Sequence, residues 1–325
     1  MSSWQTIESD VGVFTHLVKD LGVEHIQFED VPYLEHLRML TTPLYGVIFL
    51  FQYDPTPYRN NTPIQGVYDV DYPDELFFAR QTIQDACGTQ AILNTLLSIA
   101  QQNGDKIKLG DELTRFWQFT SGFKDQVLRG ETMSNSEMIR NVHNSFTCPD
   151  PFERDPTAPR EGKSSRDVYH FTGFIPYNGY IYELDGLHEY PIIHRHYGSD
   201  NTDPKSFAIH MAALLEERIA AMEVSTNGKF SVMAMVHDKI DYFSEKLESP
   251  TIDQTERYKL QELLEIEQQQ RHRWKREIAL RRQNLFGLVY ELTKQITSNM
   301  SDTQFQKQLS SASQATIERY SRRHR

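Results

Sequence analysis

Cys87 is one of only two cysteines in the 325-residue chain, and it sits in RQTIQDACGTQAILNTLLSIA, residues 80–100. Asp85 precedes it by two positions, and no further charge follows until Asp105. A cysteine at the mouth of so apolar a helix faces unpaired backbone N–H groups and the positive end of the helix dipole. Both favour the thiolate, the form that attacks carbonyl carbon. Position alone does not make a nucleophile, since free cysteines are most often buried packing residues. Catalysis also needs a base, a group to orient it and a donor for the developing oxyanion.

The segment VYHFTGFIPYNGYIYELDGL, residues 168–187, supplies the base and its partner. Asn178-Gly179 between two aromatic, β-branched runs is a two-residue hairpin signal. It predicts that Tyr177 pairs with Tyr180 and that paired numbers sum to 357 from there outward. His170 then lies opposite Leu187, and Asp185 shares its face as a diagonal neighbour about 7–8 Å away at the backbone, within side-chain reach. A carboxylate beside an imidazole fixes its tautomer and raises its basicity. Gln81, six residues before the thiol, carries an amide suited to an oxyanion. His188, His194 and His196 are rival bases, read as solvent-exposed. His194-Arg195-His196 lacks an accompanying carboxylate or thiol and makes a poor metal site.

Around these residues stand the elements that must position them. An amphipathic helix is expected over 11–21 and a strand over 46–51, followed by a Pro- and Asn-rich loop over 53–74. Residues 87–101 read as a helix apolar on nearly every side, and 105–122 and 134–145 as further helical pieces. A helix over 208–222 and a last core strand over 230–236 complete the body. The stretch CPDPFERDPTAPREGKSSRD, residues 148–167, holds four prolines and nine charges and reads as a long surface loop. Beyond about residue 240 the chain turns long, charged and helical, so the boundary is placed there, as 1–240 and 241–325. The first part is expected to fold without the second. Leu260, Leu263, Trp274, Ile278, Leu285, Leu288, Val289 and Leu292 largely share one helical face. They suit packing on the body, a helical hairpin, or an apolar patch for a partner.

The net charge of −11 divides into −18 over residues 1–265 and +7 over 266–325. An acidic body argues for a basic substrate or partner and against direct nucleic-acid binding. No run is long enough to cross a bilayer, and residues 1–8, MSSWQTIE, lack the basic start and apolar core of a signal peptide. Two cysteines offer neither a disulfide framework nor a CxxC metal pair. The expected setting is reduced, cytoplasmic and nuclear, with no cofactor, no metal and no membrane.

Gln81-x5-Cys87, followed by His170 and by Asp185 in YELDGL, resembles the ubiquitin C-terminal hydrolase family of cysteine peptidases. Trp4-x2-Ile7-Glu8-Ser9-Asp10 and the strand GVIFLF strengthen the likeness, which covers residues 4–236. The resemblance implies an α/β fold of papain-like cysteine-protease architecture, a central sheet wrapped by helices, plus a helical C-terminal extension. It also implies Cys87 as nucleophile, His170 as general base, Asp185 as its orienting partner and Gln81 as oxyanion donor with the Cys87 backbone N–H. Residues 148–167 become a crossover loop over the active site, and Asp30 in FEDVPYLE a contact for the arginine-bearing tail of ubiquitin. RRQNLFGLVYEL, residues 281–292, is similar to the extension of the proteasome-associated member. The implied partners are ubiquitin and its conjugates, a proteasomal ubiquitin receptor docked by 241–325, and a nuclear chromatin-remodelling complex. The competing reading is a ubiquitin- or proteasome-binding scaffold with weak catalysis; a cysteine protease of another class is a third.

Overall fold

The computed structural model describes residues 4–104, 106–147, 169–198, 204–226, 230–283, 285–298 and 300–323. Cys148 and the expected crossover loop at 148–167 lie outside the described residues.

Strands β1 (Ile26–Asp30), β2 (Leu44–Gln52), β3 (Val67–Tyr68), β4 (Tyr169–Tyr177), β5 (Tyr180–Leu184), β6 (Ile192–His196) and β7 (Phe230–His237) form one sheet in the order β1-β7-β2-β4-β5-β6-β3. Every pairing in it is antiparallel. Both faces are covered, and alternation along the strands sorts side chains between two cores. Ile48, Met233 and Met235 join the core on one face; Val47, Phe49, Val232 and Ala234 join the other.

Helices α1 (Val11–Asp20) and α3 (Cys87–Gln102) pack on the first face. On the second lies α7 (Pro204–Thr226), with the 3-10 turn Leu34–Met39 beside it. A short α2 (Pro55–Arg59) and helices α4 (Asp111–Ser121), α5 (Gln126–Asn135) and α6 (Glu137–Asn144) complete the wrap. The helical piece expected over 134–145 proves to be the end of α5 and the whole of α6. Ser136 is extended between them, and its hydroxyl accepts from the Ile139 N–H to start α6.

Sheet and helix meet most closely along α3. A methyl group at Gly173 would sit 2.0 Å from Thr95 Oγ1, and one at Gly46 would sit 2.8 Å from Thr95 Cγ2. Only glycine at these two strand positions lets the helix carrying Cys87 lie flat on β2 and β4.

The compact body does not stop near residue 240. Helices α8 (Lys239–Glu248) and α9 (Gln254–Arg281) continue it to Arg282, and a second unit begins at Gln283. Trp274 and Ile278 of α9 enter the same core as Val11 and Phe14. The charged composition after 240 suggests a break, but most of that charge lies on the outer side of a helix whose inner side is anchored. The second unit contains α10 (Phe286–Ser298) and α11 (Asp302–Arg323).

Candidate functional site

Asn178 (φ 48°) and Gly179 (φ 78°) both adopt left-handed backbone, as a type I′ turn demands. Pairing then runs without a bulge from Tyr177–Tyr180 to Gly173–Leu184, so the sum of 357 holds along the described ladder. The consequence is the expected juxtaposition: His170 Nε2 lies 2.6 Å from Asp185 Oδ1. A carboxylate can only accept here, so Nε2 carries the proton and Nδ1 is the nitrogen left for exchange. Both side chains are buried, at 3% and 1% exposure.

Asp185 is held from several sides. Its Oδ1 also accepts from the Leu187 N–H at 2.9 Å, and its Oδ2 accepts from the Tyr58 hydroxyl at 2.8 Å. Burial by itself would raise this carboxyl, but the charge and hydrogen bond of His170 outweigh it, and the net shift is downward. Asp185 is therefore ionised across the neutral range.

Cys87 opens α3, which has no side-chain cap at its N-terminus. The expected thiolate does not result. Burial pushes the thiol up to about 11; the Gly88 N–H pulls the other way, and the carboxylate of Asp85 adds to the rise. Desolvation exceeds the pull of the helix end, so the resting residue is a protonated thiol.

Gln81 reaches the site through α3 as well. Gln90, Asn94 and Ser98, one turn apart on an otherwise apolar helix, are buried with their polar ends on the extended segment 77–79. Gln90 Nε2 and Asn94 Nδ2 donate to Ala79 O at 2.7 and 3.1 Å, the Ala79 N–H donates to Asn94 Oδ1 at 3.0 Å, and Ser98 Oγ donates to Phe77 O at 3.0 Å. Two residues on, the Gln81 N–H donates to Gly186 O at 2.7 Å. That bond ties the segment before the thiol to the residue after Asp185.

Cys87, Gln81 and His170 line one cleft of about 380 Å³ with Tyr53, Thr82, Ile83, Tyr169 and Leu187. Asp185 joins it through His170. Asp30 does not line this cleft: it ends β1, the edge strand, three places from β4. Burial raises its carboxyl, and the neighbouring charges of Asp10 and Glu29 raise it further.

Two of the three rival histidines are buried rather than exposed. His188 Nδ1 meets the Tyr68 hydroxyl at 2.7 Å, and its ring stacks on Tyr58 at 4.6 Å. His194 Nε2 donates to Glu183 Oε2 at 2.9 Å. His196 is exposed. Glu183 also receives both terminal nitrogens of Arg218, at 3.2 and 2.6 Å. Burial would raise Glu183, yet Arg218 and His194 hold it down to about 2. This buried pair braces β5 two residues before Asp185. Its one sequence signal is the face that Glu183 shares with Asp185; Tyr58 and Tyr68 gave none. Among the described residues no group of three or more His, Cys, Asp or Glu side chains is disposed to hold a metal ion, and no helix is long and apolar enough to cross a membrane.

The family model described as ubiquitin carboxyl-terminal hydrolase, family 1, matches residues 4–220. The chain is 35% identical over 301 residues to ubiquitin carboxyl-terminal hydrolase 2 of Schizosaccharomyces pombe, covering 92% of this chain and 93% of that one. It is 32% identical to ubiquitin carboxyl-terminal hydrolase ubh-4 of Caenorhabditis elegans, over 90% and 87% of the respective chains. Among solved structures, Trichinella spiralis UCH37 bound to ubiquitin vinyl methyl ester superposes with a TM-score of 0.61 at 29% identity, over 84% of this chain and 100% of that one.

Proposed function

The chain belongs to the ubiquitin carboxyl-terminal hydrolases of family 1 and is a cysteine-type deubiquitinase; on that premise we propose that Cys87 is its nucleophile, His170 its general base, Asp185 the group that orients His170, and Gln81 with the Cys87 backbone N–H its oxyanion donors. The observation that carries these assignments is the 2.6 Å bond between His170 and Asp185 in a cleft shared with Cys87 and Gln81.

Because the resting Cys87 is a thiol, attack and deprotonation are coupled. Sγ bonds to the carbonyl carbon of ubiquitin's terminal glycine as its proton passes to Nδ1 of His170. The carbonyl oxygen gains the negative charge, which the Gln81 amide and the Cys87 N–H stabilise. Collapse breaks the bond to the leaving amine, which takes the proton back from His170, and an acyl-thioester remains. Water, giving a proton to the same nitrogen, attacks that thioester. The thiolate leaves and is reprotonated. Asp185 stays ionised throughout and stabilises each transient imidazolium.

The same proposal covers the setting. Leu288, Val289, Tyr290, Leu292 and Ile296 of α10 are all exposed, which supports docking of this helix onto a proteasomal ubiquitin receptor. A cytoplasmic and nuclear location, a chromatin-remodelling complex as second partner, and contact of Asp30 with the ubiquitin tail belong to it on the strength of resemblance.

Release of a fluorophore from the ubiquitin C-terminus tests the chemistry. Cys87→Ala abolishes turnover, Asp185→Asn lowers kcat by about 10³–10⁴-fold, and Gln81→Ala lowers it by about 10²-fold. Retention of turnover by Cys87→Ala would sink the assignment. An inactive wild type that still binds ubiquitin would favour a scaffold.

A further inference from the structure

Beyond the four residues of the proposed mechanism, one side chain touches the triad carboxylate that no sequence pattern marked. Tyr58 stands on α2, a five-residue helix begun by Asp54, whose carboxylate accepts from the Thr56 N–H, and by Pro55 at its first position. From there its hydroxyl donates to Asp185 Oδ2 at 2.8 Å. The Tyr58 ring is fixed on both faces, stacked on Tyr53 at 5.2 Å and on His188 at 4.6 Å, and it meets His170 edge-on at 5.9 Å. His188 is fixed in turn by the Tyr68 hydroxyl, which also lies 3.2 Å from Asn61 Oδ1.

We infer that Tyr58 is a positioning residue of the hydrolysis: by holding Oδ2 of Asp185 it leaves Oδ1 as the oxygen that orients His170. The inference rests on the reading of His170 and Asp185 given above. A carboxylate has two equivalent oxygens, and one without a fixed partner can turn and misdirect the imidazole it serves. Here Oδ1 takes His170 and the Leu187 N–H, and Oδ2 takes Tyr58. His188 Nε2, 4.0 Å from Oδ2, is too far to replace that donor. The charged and titratable groups around Asp185 are His170 from β4, Glu183 from β5 with its partner Arg218 from α7, His188 from the following turn, Tyr68 from β3, Tyr53 just past β2, and Tyr58 itself. Burial and the nearby Asp185 charge push the Tyr58 phenol well above its ordinary value, so it remains a donor throughout the neutral range.

The full chain is tested with Tyr58→Phe, Asp185→Asn and the double variant. Rates of covalent capture by ubiquitin vinyl methyl ester are read beside steady-state kinetics and pH profiles. Tyr58→Phe lowers kcat about tenfold, the loss expected for one hydrogen bond to a charged group, and leaves KM unchanged. Its acidic limb moves to higher pH, because the Asp185 carboxylate, stripped of one donor, holds the imidazolium form of its partner more strongly. In the Asp185→Asn background the substitution adds less than about twofold, since its target is already lost. Difluorotyrosine at position 58, a stronger donor of nearly the same shape, moves the acidic limb to lower pH. Wild-type kcat and pH profile in Tyr58→Phe beside an inactive Asp185→Asn would overturn the role of Tyr58 alone. A full tenfold loss persisting in the double variant would overturn it too. Wild-type turnover in Asp185→Asn would overturn the catalytic reading and this inference with it.

Discussion

Helices α9 and α10 follow one another along the chain, and both carry apolar residues at helical spacing, yet they meet different fates. In α9, Trp274 is only 8% exposed and lies on Gly12 of α1, where a methyl group would come within 2.7 Å of its ring. Arg271 reaches Asp238 at 3.0 Å and Glu267 at 3.3 Å, and it also pairs with Gln27. The end of the helix is tied by Arg282, which donates to Asp20 at 2.7 Å and lies over Phe146. In α10, by contrast, Leu288 is 59% exposed, and Val289, Tyr290, Leu292 and Ile296 are similarly open. The pattern of apolar positions declares that a helix has a side to cover. It does not say with what; the slot at Gly12, some 260 positions earlier, decides that for α9.

The contrast is broken or sharpened most severely by truncation. A chain ending after residue 240 exposes the side of α1 on which Trp274 packs and removes Arg271 from the buried Asp238, which keeps Lys19 as a cationic partner. We expect it to lose stability on the scale of a whole domain, about 5–15 kcal/mol, and to be recovered unfolded or insoluble. A chain ending after Arg282 keeps its thermal midpoint and its activity on small ubiquitin adducts. Equal melting of the two truncations in calorimetry would erase the distinction between the helices.

A smaller effect comes from one side chain. Trp274→Ala should cost about 3–5 kcal/mol of stability by denaturant titration, through the cavity left above Gly12. Turnover below the new midpoint stays near wild type, because the cleft is built from α3 and the β4–β5 hairpin. A loss under about 1 kcal/mol would show that α9 is carried by its polar ties.

Least affected should be Leu288→Ser combined with Leu292→Ser. Stability changes by less than about 0.5 kcal/mol, as for exposed positions generally, while binding to a proteasomal ubiquitin receptor, followed by calorimetry, is lost. A large drop in the thermal midpoint would mean that this face is already covered within the chain.

What could be read in advance follows from the range of the interactions concerned. The hairpin was legible because Asn178-Gly179 permits one turn geometry, and alternation then carries the register to His170 and Asp185 without further information. Helix α3 was legible because its apolar run admits no exposed side. The thiol's ionisation was not legible, because the helix end is a local feature whereas burial comes from surrounding segments. Helix α2 and β3 fall within the Pro- and Asn-rich loop expected over 53–74, and β6 within a stretch whose histidines read as exposed: at two to five residues these elements have no period to detect, and tertiary contacts hold them. Tyr58 was invisible for the same reason. Composition places a boundary near 240 because it records which residues face water; it does not register that the inner side of α9 is held, so the compact unit running on to Arg282 is not legible from it.

The bond from the Gln81 N–H to Gly186 O has a consequence for how the cleft can err. It acts as a rivet between two parts of the chain more than a hundred positions apart, one bearing Gln81 and Cys87, the other Asp185 and, through it, His170. Parts joined so near their working ends do not drift independently. A push on the hairpin by an arriving ligand is transmitted to Gln81, and alignment of the cleft becomes a property with few degrees of freedom, gained or lost as a unit.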